Sequence, residues 1–217
     1  MMMSAAAIAT LVRMGRWEPD ARGRMIRAAM DLFAERGFEQ TTAGDIAESA
    51  GVTERTFFRH FADKREVLFD GSATLERTAH DAILAAPDEM SPLEAALTGI
   101  VAGGGLLEQR REHAVRRSRI VAAHPSLQER ELLKLAAMTE STAKALHERG
   151  VAEPAASLAA HSAVTVFHVA FARWIAAQDD DAAQNDDATH GEERDTEAPP
   201  SFVDCVADTA AALRALT

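Results

Sequence analysis

Residues 41–61 read TTAGDIAESAGVTERTFFRHF. Thr41 or Thr42 is a suitable N-cap, because a threonine hydroxyl accepts one of the backbone N–H groups a helix start leaves unpaired. Ile46, Ala47 and Ala50 then form one apolar side, and Gly51 supplies the left-handed residue that ends a helix. Thr53 is a second N-cap, opening a short helix from Glu54 to His60 or Phe61. Phe57 and Phe61 stand four apart on one face of it. Helix, glycine-containing turn and helix at this length predict a helix-turn-helix.

Upstream, apolar residues at Ile26, Ala29, Met30, Phe33 and Ala34 follow the i, i+3, i+4, i+7 spacing, so a helix is expected from Asp20 to about Arg36, closed by Gly37. Downstream, Asp63 is placed to cap a long fourth helix. It starts near Lys64, carries Val67, Leu68, Leu75, Ala79, Ile83 and Leu84, and stops before Pro87. Further helices are expected from Ser91-Pro92 until Gly103-Gly104-Gly105 interrupts, from Leu106 to Ala123, from Leu127 to Arg149, from Glu153-Pro154 to about Gln178, and from Phe202 to Leu216. Residues 179–200, DDDAAQNDDATHGEERDTEAPP, hold nine acids and two prolines, a composition that forms no core and predicts a disordered acidic loop. The first nineteen residues predict a flexible tail rather than a secretory signal, since no basic segment precedes their apolar stretch. Arg13, Arg16, Arg22 and Arg24 cluster before the first helix and read either as a solvated tail or as a basic arm touching a nucleic-acid backbone or minor groove.

The expected domains are the tail 1–19, a helix-turn-helix domain over 20–66 and a helical domain over 67–217. The fold class is all-α. Composition agrees: 47% apolar residues, 5% aromatic and no tyrosine, in a chain rich in alanine, a helix former that is weak in strands. No uninterrupted apolar run reaches the roughly 18–20 residues of a membrane span, and a cytoplasmic location is expected. One cysteine, Cys205, excludes an intrachain disulfide framework and a multi-cysteine zinc site.

The formal net charge of −11 argues against loose binding to polyanions, but it is unevenly spread. Residues 51–65 hold four basic side chains against two acidic ones, enough for a local patch to meet phosphates. His161 and His168, seven apart on one helix, are about 10 Å apart, too far to share one ion. No Glu-x-x-His pair, phosphate loop or nucleophile motif occurs, so no metal, no cofactor and no catalytic residue is expected.

Residues 24–68 resemble the DNA-binding domain of TetR-family transcriptional regulators. Ile26, Ala29, Leu32, Phe33 and Gly37-Phe38 match the first helix and its exit. Thr41-Thr42, Asp45-Ile46-Ala47 and Ala50-Gly51-Val52 match the second helix and turn. Phe57-Phe58-Arg59-His60-Phe61 and Lys64 match the recognition helix and the start of the next one. In such a motif the recognition helix presents its N-terminal residues to base edges in the major groove. The candidate DNA contacts are Thr42, Thr53, Glu54, Arg55, Thr56, Phe58, Arg59, His60 and Lys64. Arg55 suits a bidentate contact to guanine, and Glu54 suits either a cytosine amine or its own helix start. Thr42 and Lys64 suit phosphates. Many relatives carry tyrosine at the position of Phe58 and a small residue at that of Arg55, so base reading departs from the common pattern here.

The resemblance implies a homodimer on a palindromic operator, with the last two helices of each subunit forming the interface. It also implies a helical domain that binds a small-molecule effector and shifts the fourth helix to release DNA. The expected function is therefore a transcriptional regulator, a repressor first. An activator or a regulator needing a corepressor is the alternative, and a helical-bundle enzyme a lesser one. Apolar candidates for the effector pocket are Leu75, Ile100, Met138, Phe167 and Phe171, and polar ones are Arg116, Thr142 and His168.

Overall fold

Asp20 opens the first helix, α1 (Ala21–Arg36), by accepting the Gly23 N–H at 2.8 Å. The computed structural model describes residues 20–187 and 199–216; nine α-helices, and no strand, occur among the described residues. Expectations for the tail 1–19, with Arg13 and Arg16, and for 188–198 of the acidic loop lie outside the described residues. The chain divides into two compact units, one ending at Leu68 and one starting at Phe69.

The first unit holds α1, α2 (Ala43–Ser49) and α3 (Glu54–His60), with α2 packed on both its neighbours. Met25, Ala29, Phe33, Phe38, Ile46, Phe57 and Phe61 are buried and form its core. Lengths of seven residues are too short for α2 and α3 to hold alone, so packing and caps stabilise them. Thr42 caps α2 in a reciprocal box with Asp45, and Thr53 caps α3 by accepting the Thr56 N–H.

The expected long fourth helix is broken. Asp63 accepts the N–H groups of Arg65 and Glu66, but the chain then makes only a single 3-10 turn, Glu66–Phe69. Gly71 takes φ 91, a left-handed conformation that stops the hydrogen-bond ladder, and α4 (Ser72–Ala85) starts anew.

The second unit adds α5 (Pro92–Glu108), α6 (Arg111–Ala122), α7 (Pro125–Glu148), α8 (Ala155–Asp187) and α9 (Phe202–Arg214). α8 is central, packing on α5, α6, α7 and α9, while α4 packs on α5 and α7. Ala156, Ala160, Ala163 and Ala170 are buried along α8, and such small side chains let neighbouring helices approach closely. Ala155–Ala177 is long and apolar enough to cross a membrane by length and composition, although His161, His168 and Arg173 interrupt it. Here it is the core helix of the unit. Its far end continues to Asp187, so 179–187, expected as loop, are helical. Extending a nucleated helix through Ala182, Ala183 and Gln184 adds one hydrogen bond per residue ordered.

Gly103-Gly104-Gly105 does not interrupt its helix; the break comes at Gln109–Arg110. The glycines mark close approaches instead. A Cβ on Gly104 would lie 2.2 Å from the Phe202 ring, and one on Gly99 would lie 2.7 Å from Ile83 and 2.8 Å from the Ala79 carbonyl oxygen. Around Gly105 nothing lies within 4 Å. Gly99→Val is therefore expected to destabilise by about 1–3 kcal/mol through overpacking against a backbone oxygen. Gly105→Ala is expected to stabilise by about 0.5–1 kcal/mol through helix propensity. Urea unfolding of both variants checks the pair, and equal effects would remove the distinction.

Three capping boxes, Thr42/Asp45, Ser91/Glu94 and Ser201/Asp204, start α2, α5 and α9. The Thr42 backbone N–H, then its hydroxyl, holds the Asp45 carboxyl below its ordinary range; the hydroxyls of Ser91 and Ser201, then their N–H groups, do the same for Glu94 and Asp204. Because the folded values are depressed, the stability they contribute is present above the unfolded carboxylate pKa, about 4, and is lost as pH falls through the folded values. The thermal midpoint should drop below about pH 4, and Asp45→Asn with Glu94→Gln and Asp204→Asn should flatten that drop. An unchanged acid limb in the triple variant would remove the caps as its cause.

Candidate functional site

α3 is two-sided. Phe57 points into the first unit and Phe61 packs behind it, ring centroids 5.4 Å apart, while Glu54, Arg55, Phe58 and Arg59 are exposed. Positions 54, 55, 58 and 59 fall on one helical face, so the outward surface carries one carboxylate, two guanidinium groups and an aromatic ring. Phe58 is 52% exposed and meets Phe57 edge-on at 5.4 Å. An aromatic ring left half in solvent on a charged face contributes less to the core than a buried one, and its outer side is free for contact.

The remaining candidates sit differently. The Thr53 hydroxyl pairs with that of Thr56 at 3.0 Å and accepts the Thr56 N–H at 3.2 Å, so both threonines are engaged in starting the helix. The Thr42 hydroxyl donates to Asp45 at 2.8 Å and accepts its N–H at 3.1 Å. His60 is half-buried against Phe61, with its Nε2 buried and unpartnered, and is turned away from the exposed face. Lys64 departs furthest from a free surface cation. Its ammonium lies 4.2 Å from the Phe38 ring centroid and donates to the carbonyl oxygens of Phe38 at 2.7 Å and Thr41 at 2.9 Å, with that of Glu39 at 3.4 Å. It ties down the α1–α2 connection and reaches a phosphate only by loosening one of these bonds. Of the basic arm, Arg24 donates to the Ala50 carbonyl at 3.0 Å and Arg22 lies over the Phe61 ring at 4.9 Å. Both brace the motif, a role that spacing alone does not reveal.

Residues 25–70 match the family model described as bacterial regulatory proteins, tetR family. The match covers 46 of the 217 residues, so it shows a tetR-family domain within the chain. The transcriptional regulator TcmR of Streptomyces glaucescens is 40% identical over 74 residues, 34% of this chain and 33% of that protein. The transcriptional repressor KstR2 of Mycobacterium tuberculosis is 43% identical over 47 residues, 22% of this chain and 24% of that one. The matched segment thus spans a third or less of these curated relatives. For the whole fold, a putative TetR-family regulator from Mesorhizobium loti superposes with TM-score 0.51 at 18% identity, covering 90% of this chain and 96% of that one. The chain therefore shares most sequence with these proteins where the helix-turn-helix lies.

The eight effector candidates all fall in the second unit. Ile100, Met138 and Thr142 are buried, and Leu75 is half-buried against Gly103. Phe167 and Phe171 are half-buried and stack, centroids 5.9 Å apart at 16°. Arg116 is half-buried; His168 is exposed on α8 and faces outward, because position 168 is out of phase with the buried positions 163, 166, 170 and 174. A groove of about 560 Å³ does lie between α5, α9 and the α4–α5 connection, lined by Pro87, Met90, Leu97, Val101, Val206 and Arg214 among others. None of the eight lines it. The signal that points to it is apolar residues off the core phase, such as Met90, Val101 and Val203, all partly exposed.

Proposed function

We propose that this chain is a sequence-specific DNA-binding transcriptional regulator, acting as a homodimer in the cytoplasm and, by default, as a repressor released by a small-molecule effector. The outward face of α3 carries the reading: Glu54, Arg55, Phe58 and Arg59 are exposed on a helix anchored from behind by Phe57. In the major groove, a guanidinium reads guanine O6 and N7, a carboxylate accepts from a cytosine amine, and an apolar ring meets a thymine methyl. Arg55 and Arg59 are the residues for the first role, Glu54 for the second and Phe58 for the third. Thr42, Thr53 and Thr56 start their helices and bring backbone N–H groups towards the phosphates, while Lys64 holds the loop before α2.

Dimerisation through α8 and α9 is supported by their unpartnered faces. Leu158, Thr165, Val169, Ala172 and Ala176 share one exposed side of α8, and Val203, Ala207 and Ala211 one of α9. Two such pairs make a four-helix contact, and two-fold symmetry then requires an inverted repeat in the DNA. Effector binding in the second unit acts on α4, the helix next in sequence after the DNA-binding unit, with a coupling of about 1–3 kcal/mol, or 5- to 150-fold in DNA affinity.

Capture of sheared genomic DNA by the purified protein at moderate salt, followed by sequencing, tests this. The expected result is a few sharp peaks sharing an inverted repeat. Absence of any shared repeat, with and without added low-molecular-weight cell extract, would overturn it.

A further inference from the structure

Two buried donors lie side by side in the second unit with nothing to donate to. Trp174 is fully buried and its indole Nε1–H has no partner. Arg111, from the first turn of α6, lies over the same indole, its guanidinium carbon 4.9 Å from the ring centroid. One of its terminal nitrogens donates to the Trp174 carbonyl oxygen at 3.1 Å, while its Nε–H is buried and unpartnered. Among the described residues no carboxylate pairs with Arg111; that of Glu108, three residues before it, accepts the Phe202 N–H. Buried donors are nearly always satisfied, and a part-buried cation without an anion is costlier still.

The kind of partner missing is legible. Both orphans are donors, so the absent group is an acceptor, and the guanidinium asks for a negative one. The surroundings of the indole are largely aromatic: Phe202 meets Trp174 edge-on at 5.7 Å and Phe171 tilts against it at 5.9 Å. A carboxylate is acceptor-only and has two oxygens, one for each donor. Phe167 and Phe171, stacked and half-buried, continue this aromatic cluster from Trp174, and ring faces of this kind favour an aromatic ligand body.

We propose that Arg111 and Trp174 are the polar anchor of a site for a small aromatic carboxylate. The proposal rests on the reading of the second unit as effector-responsive, and names the chemical class it responds to. Of the candidates named from sequence, Phe167 and Phe171 belong to this site.

The test uses the full chain labelled with nitrogen-15. It has two tryptophans, and Trp174→Phe assigns the Trp174 indole resonance by its loss. Phenylacetate should shift that resonance saturably, and 2-phenylethanol, with the same ring and no carboxylate, should leave it unmoved. Arg111→Lys, which keeps the charge and loses the fork, should weaken phenylacetate binding about tenfold. The wild-type titration stands even where a variant fails to fold. An indole resonance unmoved by millimolar phenylacetate, or moved equally by the alcohol, overturns the anchor. Phenylacetate binding without any change in operator affinity supports the anchor and overturns the effector reading. Operator release by another compound with Trp174 silent keeps the effector reading and overturns the anchor.

Discussion

Replacing Arg55 and Arg59 together by alanine is expected to reduce binding of a captured operator to the level of a scrambled duplex. Each bidentate guanidinium contact contributes about 1–3 kcal/mol of discrimination, and a dimer presents each arginine twice. The gap between specific and non-specific binding in such proteins is about 4–10 kcal/mol, so losing four contacts removes most of it, a fall of about a thousandfold or more. Both side chains are exposed and lie outside the buried core of the first unit. Stability should therefore change by no more than about 0.5 kcal/mol. Fluorescence anisotropy with operator and scrambled duplexes at one salt concentration measures the effect, with circular dichroism and native mass checking fold and assembly. Retained discrimination in the double variant would place base reading elsewhere than on α3.

The second large effect is expected at Arg149, immediately after α7. One of its terminal nitrogens donates to the carbonyl oxygens of Ile83 at 3.0 Å and Ala86, with that of Leu84 at 3.4 Å, and the other donates to that of Pro87 at 2.8 Å. Ile83 and Leu84 belong to the last turn of α4 and Ala86 and Pro87 follow it, so one cation closes the end of α4 and pins it to the end of α7. Hydrogen bonds from a charged donor contribute about 1.5–3 kcal/mol each, and bonds sharing one side chain do not add. Arg149→Met keeps the stem and removes the donors; it should cost about 2–4 kcal/mol and lower the melting temperature by roughly 5–10 °C. Because α4 is the proposed carrier of the effector response, the same variant should also weaken the coupling between effector and DNA. A melting temperature within a degree of wild type would show the clamp to be unnecessary.

Much of this architecture is written in local patterns along the chain. Capping residues and apolar periodicity are short-range, so Asp20, Thr42, Thr53 and Ser91 mark their helices, and Phe57 and Phe61 mark the inner face of α3. The same local logic misplaces features whose cause lies elsewhere in the chain. Three consecutive glycines look like a break because glycine is a poor helix former. They continue α5 because Gly103 and Gly104 face Leu75 and Phe202, from helices far away in sequence. Lys64 looks like a surface cation because nothing within four residues engages it; its partners, Phe38 to Thr41, lie more than twenty residues upstream. His168 looks like a pocket residue only if the rotation of α8 is guessed.

Caps, turn glycines and apolar spacing act over a few residues. The all-helical class, the helix-turn-helix and the residues displayed on its second helix therefore follow from the order of amino acids alone. Packing settles the rest: which cations are free and which are committed, where the α5–α9 groove runs, and that Arg111 and Trp174 meet with unanswered donors. Those properties depend on contacts between residues far apart in the chain, 66 positions between Ile83 and Arg149 and 94 between Glu108 and Phe202. Sequence spacing carries no record of such meetings, since they are set by how whole helices rotate and pack.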